Sequence, residues 1–328
     1  MPFCQAPRWV CAAALALMAT AFAAPVLGQN WPAKPVHILV PFAPGGSADT
    51  LGRIVAAKMT ETFGQTFVVD NRGGAGGVIG SDQVAKSAPD GYSLVVSGIA
   101  SHAIGPAMQS KPSYDPVKDF THIALFGGPP LVFAANASLP VKELKDFIAL
   151  ARSKQGQFSY GSPGVGTHGH LFGELLQQLT GIRMQHIPYK GAHLALEDLI
   201  GGRLQAISTT LTSAGTQIKA RKALGLAVSA ETRVPDYPEV PTFRELGYPN
   251  LTAITWFSLS GPAGMPPDIV TRLNAEVRRI LKLPDVSQRL RAEGMVLGDL
   301  DPKAFTDFVA EENKRWGAVV RASGAHSE

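Results

Sequence analysis

Cysteine is nearly missing from this chain of 328 residues: its two copies, Cys4 and Cys11, both fall among the first 28. Beyond them there is no thiol, which excludes a disulfide framework, a thiolate metal site and a cysteine nucleophile together. Long apolar runs are scarce as well. One extends from Trp9 to Ala24 and stops at Pro25, and no second run reaches the ~18 residues that mark a membrane-spanning helix. Charge of one sign is in small excess, with 30 Lys and Arg against 26 Asp and Glu. Opposite signs interleave in Lys145-Asp146 and in Glu311-Glu312-Asn313-Lys314-Arg315, and no basic run mixes with aromatics. Nucleic acid is therefore not an expected partner. Catalytic signatures are lacking too: there is no G-x-S-x-G elbow, no H-E-x-x-H and no P-loop lysine. His168 and His170 stand two apart, diverge on a helix and have no nearby acid or cysteine, so no metal and no cofactor is expected.

What is present begins with an export signal. Arg8 is the one charge ahead of the apolar run, and small residues offer cleavage points after Ala23, Ala24 or Gly28. That order predicts a cleaved secretory leader over residues 1–28. The roughly 300 residues that follow exceed what one core serves, so two lobes are expected. Short β-like runs alternate with helical patterns, which predicts α/β lobes around mainly parallel sheets. Val36 to Val40 reads as a strand, about Ala48 to Thr62 as a helix, Phe67 to Val69 as a strand and Ser93 to Ser97 as another. The pattern resets at Gly127-Gly128-Pro129-Pro130. Strands are then predicted from Leu131, at Phe158–Gly161, Arg183–Pro188, Leu204–Thr209 and Leu224–Ser229, with helices at Val141–Ser153 and Thr167–Leu179. Trp256 to Leu259 starts the return, followed by helices at Asp268–Leu281 and from about Pro302 to Val320.

Three glycine-rich turns each lie between a strand and a helix: Pro44 to Asp49, Gly73 to Gly77, and Gly161 to Thr167. Glycine lets the backbone approach a ligand, and the helix behind each turn offers free N–H groups and a positive dipole end, which suits an anion. Gly164 to Gly169 matches the dinucleotide pattern G-x-G-x-x-G, but no acid follows about 20 positions later to hold a ribose, so nucleotide is not expected. Asp49 reads as a helix-start residue that either fixes its loop or accepts a hydrogen bond from a ligand.

Together these residues resemble a known family, the Bug-type extracytoplasmic receptors of tripartite tricarboxylate transporters. The resemblance is carried by Trp31-Pro32 with Lys34-Pro35-Val36, by Pro41 to Asp49, by Val69-Asp70-Asn71-Arg72 before Gly73 to Gly77, and by Pro89-Asp90-Gly91-Tyr92. Gly164 to Thr167 with His170-Leu171, Pro188 to Gly191, Val240-Pro241-Thr242 and Gly261 to Pro266 complete it, in order along nearly the whole mature chain. It implies a two-lobed periplasmic-binding (Venus-flytrap, type II) α/β fold with two interlobe crossovers. Lobe one would span 29–128 and 253–328, and lobe two 129–252. It also implies a periplasmic protein that binds a small organic acid (a di- or tricarboxylate, an aromatic acid or an acidic amino acid) in the cleft. Backbone N–H groups would hold the carboxylate and waters would bridge a distal group; the protein, a monomer, would deliver it to integral-membrane transporter subunits. By position, the contacts would be Gly45, Gly46, Ser47 and Asp49, with Gly76, Gly77, Ser101 and His102, and from lobe two Gly166, Thr167 and His170. This chain departs from the family at Arg72-Gly73-Gly74, where proline commonly follows the Asn-Arg pair, and the loop is more pliable for it. The alternatives are a sensor docking on a membrane protein and, against the missing nucleophile–base set, a secreted enzyme.

Overall fold

The computed structural model describes residues 31–42, 44–292 and 294–325; the leader predicted over residues 1–28 lies outside them. Two mixed sheets with flanking helices make an α/β protein of two lobes. In the first sheet, β1 (Val36–Val40) runs parallel to β2 (Phe67–Asn71) and β3 (Ser93–Gly98). The sheet continues through β10 (Phe257–Pro262) and β4 (Phe120–Gly128) to β11 (Val296–Leu297), in the order β11-β4-β10-β3-β1-β2. The second sheet has the order β7-β6-β8-β5-β9, built from β5 (Leu131–Asn136), β6 (Phe158–Ser162), β7 (Met184–Pro188), β8 (Ala206–Thr210) and β9 (Ala223–Val228).

The expectation of mainly parallel sheets needs correction. β10 is antiparallel to both β3 and β4, and β5 is antiparallel to both β8 and β9. The reason is the chain's path. β4 and β9 leave their sheets at the edge where the turn-bearing strands end, so β5 and β10 must enter from that edge and run backwards. The strand β4 and the helices α5 (Ala192–Ile200) and α6 (Leu211–Lys219) were not anticipated. Nor was a π-helical turn at Ala100–Ile104.

The two crossings pass very close together. Thr255 N–H donates to Pro129 O at 2.8 Å, and Ser229 Oγ accepts from Leu131 N–H at 2.8 Å while donating to Ala253 O at 2.6 Å. A Cβ on Gly128 would sit 2.0 Å from Thr255 O of the other crossing, so that position needs glycine for close approach; Gly127 needs it twice over, at φ 95° and with Val296 O of β11 only 1.9 Å from where a Cβ would be.

The last helix, α9 (Pro302–Ser323), backs both lobes. Asp301 caps it by accepting from Ala304 N–H, Pro302 occupies its first turn, and Gly324 ends it at φ 68°. Its buried stripe carries Phe305, Val309, Trp316 and Val320. Trp316 meets His168 of the second lobe edge-on at 4.6 Å, Phe305 meets His122 of the first, and Asn313 Nδ2 donates to His102 O. Glu312 Oε2 accepts from both Trp256 Nε1 (3.0 Å) and Trp316 Nε1 (3.1 Å), which satisfies two buried indoles with one carboxylate. One continuous apolar cluster thus runs from Ile104 and Leu125 through Trp256 and Trp316 to Phe133 and Phe172.

Gly128→Ala should therefore force the crossings apart and destabilise the protein by about 2–3 kcal/mol, as overpacking does. Urea unfolding would read this as a lower midpoint, and an unchanged midpoint would refute the close-passage account.

Candidate ligand-binding site

The first and third glycine turns lie at the C-terminal edges of their sheets, where an open α/β fold places its ligands. After β1, Gly46 is the N-cap of α1 (Ser47–Phe63) with no side chain capping it, so the N–H groups of Ser47, Ala48 and Asp49 have no partner within the helix. Gly45, Gly46 and Pro44 are exposed. Asp49 is not: it is buried and fully engaged. Its Oδ2 accepts from Gly45 N–H (2.9 Å) and Arg53 Nε (3.0 Å), and its Oδ1 accepts from Asn71 Nδ2 (2.9 Å). Asn71 also donates to Phe42 O and accepts from Arg53 Nη2. The Arg53 hydrogen bonds hold the Asp49 carboxyl down at about 2. Of the two functional roles expected of Asp49, loop fixing is the one its bonds fill; no oxygen is left over for a ligand. Gly45 N–H is consumed in the same clamp.

The second turn follows β2. Its residues Gly74, Ala75, Gly76 and Gly77 take φ of 149°, 46°, 65° and 94°, a run that needs glycine nearly throughout. Gly76 is exposed, whereas Gly77 is buried, its position packed between Phe42 of the first turn and Ser101 after β3. Gly77 and Ser101 thus meet, and both are interior. Ser101 Oγ bonds Gly98 O and His102 Nδ1, and its carbonyl accepts from Tyr114 OH. His102 is fully buried, its ring 4.4 Å from that of Phe120 and 5.9 Å from that of His122. The structure buries it among Tyr114, Phe120 and His122, with Asn313 of α9 bonded to its carbonyl, rather than leaving it exposed to a ligand.

In the second lobe the turn after β6 leads into α4 (His168–Thr180), whose N-cap Thr167 accepts from His170 N–H. Gly166, at φ 74°, donates its N–H to His170 Nδ1 (3.2 Å), and Thr167 Oγ1 donates to Gly164 O (2.8 Å). Gly166, Thr167 and His170 are therefore brought together. Sequence reasoning missed what holds His170: its ring stacks on His186 of β7, with centroids 4.0 Å apart and planes 16° apart, and His186 Nε2 bonds Ser162 Oγ at 2.7 Å. It also missed Met108 of the first lobe, against whose Sδ a Cβ on Gly166 would press at 2.8 Å. Among the described residues no group of three or more His, Cys, Asp or Glu could hold a metal.

These bonds need neutral imidazoles. Burial holds His170 and His122 down at about 4 and, with help from His170, His186 at about 3; His102 and His168 lie well below the usual range for the same reason. The unfolded chain binds protons at these rings below about pH 6.5 and the folded chain does not. Stability should therefore fall as pH drops from about 6.5 towards 4, visible as a declining Tm. A Tm flat over that window would contradict the neutral rings. Asp49→Ala strands Gly45 N–H and Asn71, so it should cost about 1.5–3 kcal/mol; amide exchange at Gly45 should quicken, and slow exchange there would sink the clamp.

Comparison with known proteins places this geometry. Residues 51–325 match the family model described as the tripartite tricarboxylate transporter family receptor. Protein BugT of Bordetella pertussis is 36% identical over 304 residues, 92% of this chain and 93% of that protein. Among solved structures, Rpa4515 of R. palustris with adipate is 34% identical at a TM-score of 0.80, covering 90% of this chain and 99% of the other. MatC of Rhodopseudomonas palustris with bound malate is 33% identical at a TM-score of 0.77, covering 88% and 100%. The chain belongs to the receptor family of tripartite tricarboxylate transporters.

Proposed function

We propose that this receptor binds a small organic acid between its lobes in the periplasm and delivers it to membrane transporter subunits, without catalysing a reaction on it. The observation that carries this is the pair of helix starts, α1 and α4, each at the C-terminal edge of a different sheet behind a glycine turn. Each offers backbone dipole and N–H groups rather than a buried lysine or arginine, so a carboxylate is gripped strongly only when both halves close on it. Relatives that hold adipate and malate support an acid with two carboxylates.

In this reading Gly46, Ser47 and Gly76 make the first-lobe contacts, and Thr167 with the start of α4 makes those of the second, while Gly166, its N–H held by His170, lets the backbone approach closely. Gly45, Asp49, Gly77, Ser101 and His170 hold the contacting turns in shape. The halves that close are 29–128 with 253–328, and 129–252, and the first 28 residues act as the export leader.

A thermal-shift panel of adipate, malate, citrate, nicotinate and glutamate tests the proposal. At 100 times its Kd, a true ligand adds about 2.7 kcal/mol to stability and raises Tm by several degrees. Gly46→Asp, an exposed change that sets a like charge where the acid should sit, should keep the ligand-free Tm and abolish the shift. No shift with any member, or an undiminished shift in Gly46→Asp, would count decisively against this site.

A further inference from the structure

Behind the two crossings lies a second cavity, of about 800 Å³. Its side of the molecule follows from strand order. In the first sheet β1, β2 and β3 lie on the β10 side, while β11 lies beyond β4; in the second, β6, β7 and β8 lie on the β5 side, while β9 is outermost. The glycine turns therefore sit to one side of the hinge. The cavity is walled by residues 229–236 after β9 and by the end of α8 (Pro284–Ala292) with β11, which sit to the other. Both lobes contribute to it, and Ile254 of the second crossing and Phe308 of α9 line it as well.

Among the described residues its chemistry is apolar with one charge that no described side chain compensates. Val234, Ile254, Met295, Val296 and Phe308 supply the apolar wall. The three lining acids are engaged: Glu231 by Arg244, Asp236 by Lys219, and Glu312 by Arg315 and two indoles. Arg233 is held by Glu245, and Arg315 by Glu312 and the carbonyls of Asn250 and Thr252. Arg291 lines the cavity and is exposed; its carbonyl accepts from Gly294 N–H, while its guanidinium makes no ion pair or hydrogen bond with the described residues.

We propose that this cavity is a second binding site, for a small amphipathic anion with an aromatic or alicyclic body, and that its occupancy is coupled to lobe closure. Rigid lobes turning about the crossings cannot narrow the gap on one side without widening it on the other. A group wedged behind the hinge therefore favours closure in front, and a ligand in front opens room behind; the coupling is reciprocal. The coupling rests on the carboxylate reading above, whereas the existence of the rear site does not.

The test uses the mature chain and the fluorescent probe 1-anilinonaphthalene-8-sulfonate. The probe should bind saturably at one site, weaken about ten-fold or more in Arg291→Glu, and bind normally in Gly46→Asp. Val296→Trp, a change at an exposed side chain that fills the cavity, should exclude the probe and tighten the front ligand found by the panel about five-fold or more. Probe binding that is indifferent to Arg291→Glu and Val296→Trp, or lost in Gly46→Asp, overturns the rear site. Front affinity unchanged in Val296→Trp overturns the coupling alone. A panel with no ligand, beside a probe that behaves as stated, overturns the front reading and leaves the rear site standing.

Discussion

Close passage of the two crossings is the constraint on which the rest of the molecule depends. Gly127 and Gly128 carry no side chain because carbonyl oxygens of Val296 and Thr255 occupy the space. Ser229 then ties both strands with one hydroxyl. The same crossings set the strand directions. Because the chain leaves and enters both sheets at one edge, the glycine turns before α1 and α4 fall at that same edge of their sheets.

α9 supports these crossings. Glu312 sits between Trp256, which leads into β10, and Trp316, which packs on His168 across the lobe boundary. A buried carboxylate shared by two indoles is costly to desolvate, and its two hydrogen bonds plus Arg315 offset that cost. The result is a cluster without a seam between the lobes, running through the crossings.

Much of this could be read from the chain. β1, β3 and the helices α1 and α9 follow the apolar periodicity closely, and the turns before α1 and α4 fall where glycine clusters meet helix starts. The Asp49–Arg53 pair was also readable, since four residues on a helix place both on one face. What was not readable depends on tertiary neighbours. Strand polarity at β5 and β10 is invisible to a local pattern, because alternation looks the same in either direction. His170 and His186 lie on different elements and meet only because β6 and β7 pair. His102 follows a strand with a polar neighbour, a local signature shared by cleft and interior residues alike; only its tertiary neighbours Tyr114, Phe120 and His122 decide between them.

The clamp of Asp49, Arg53 and Asn71 has a further consequence for how such receptors diversify. With the first turn shaped by its own carboxylate, the generic half of recognition is settled before any solute arrives. The neighbouring Gly73–Gly77 turn is fixed in another way, by positive φ at every residue from Gly74 to Gly77. A Cβ at Gly74, Gly76 or Gly77 would be strained, so selection for a new solute is steered away from these turns and onto side chains elsewhere around the gap.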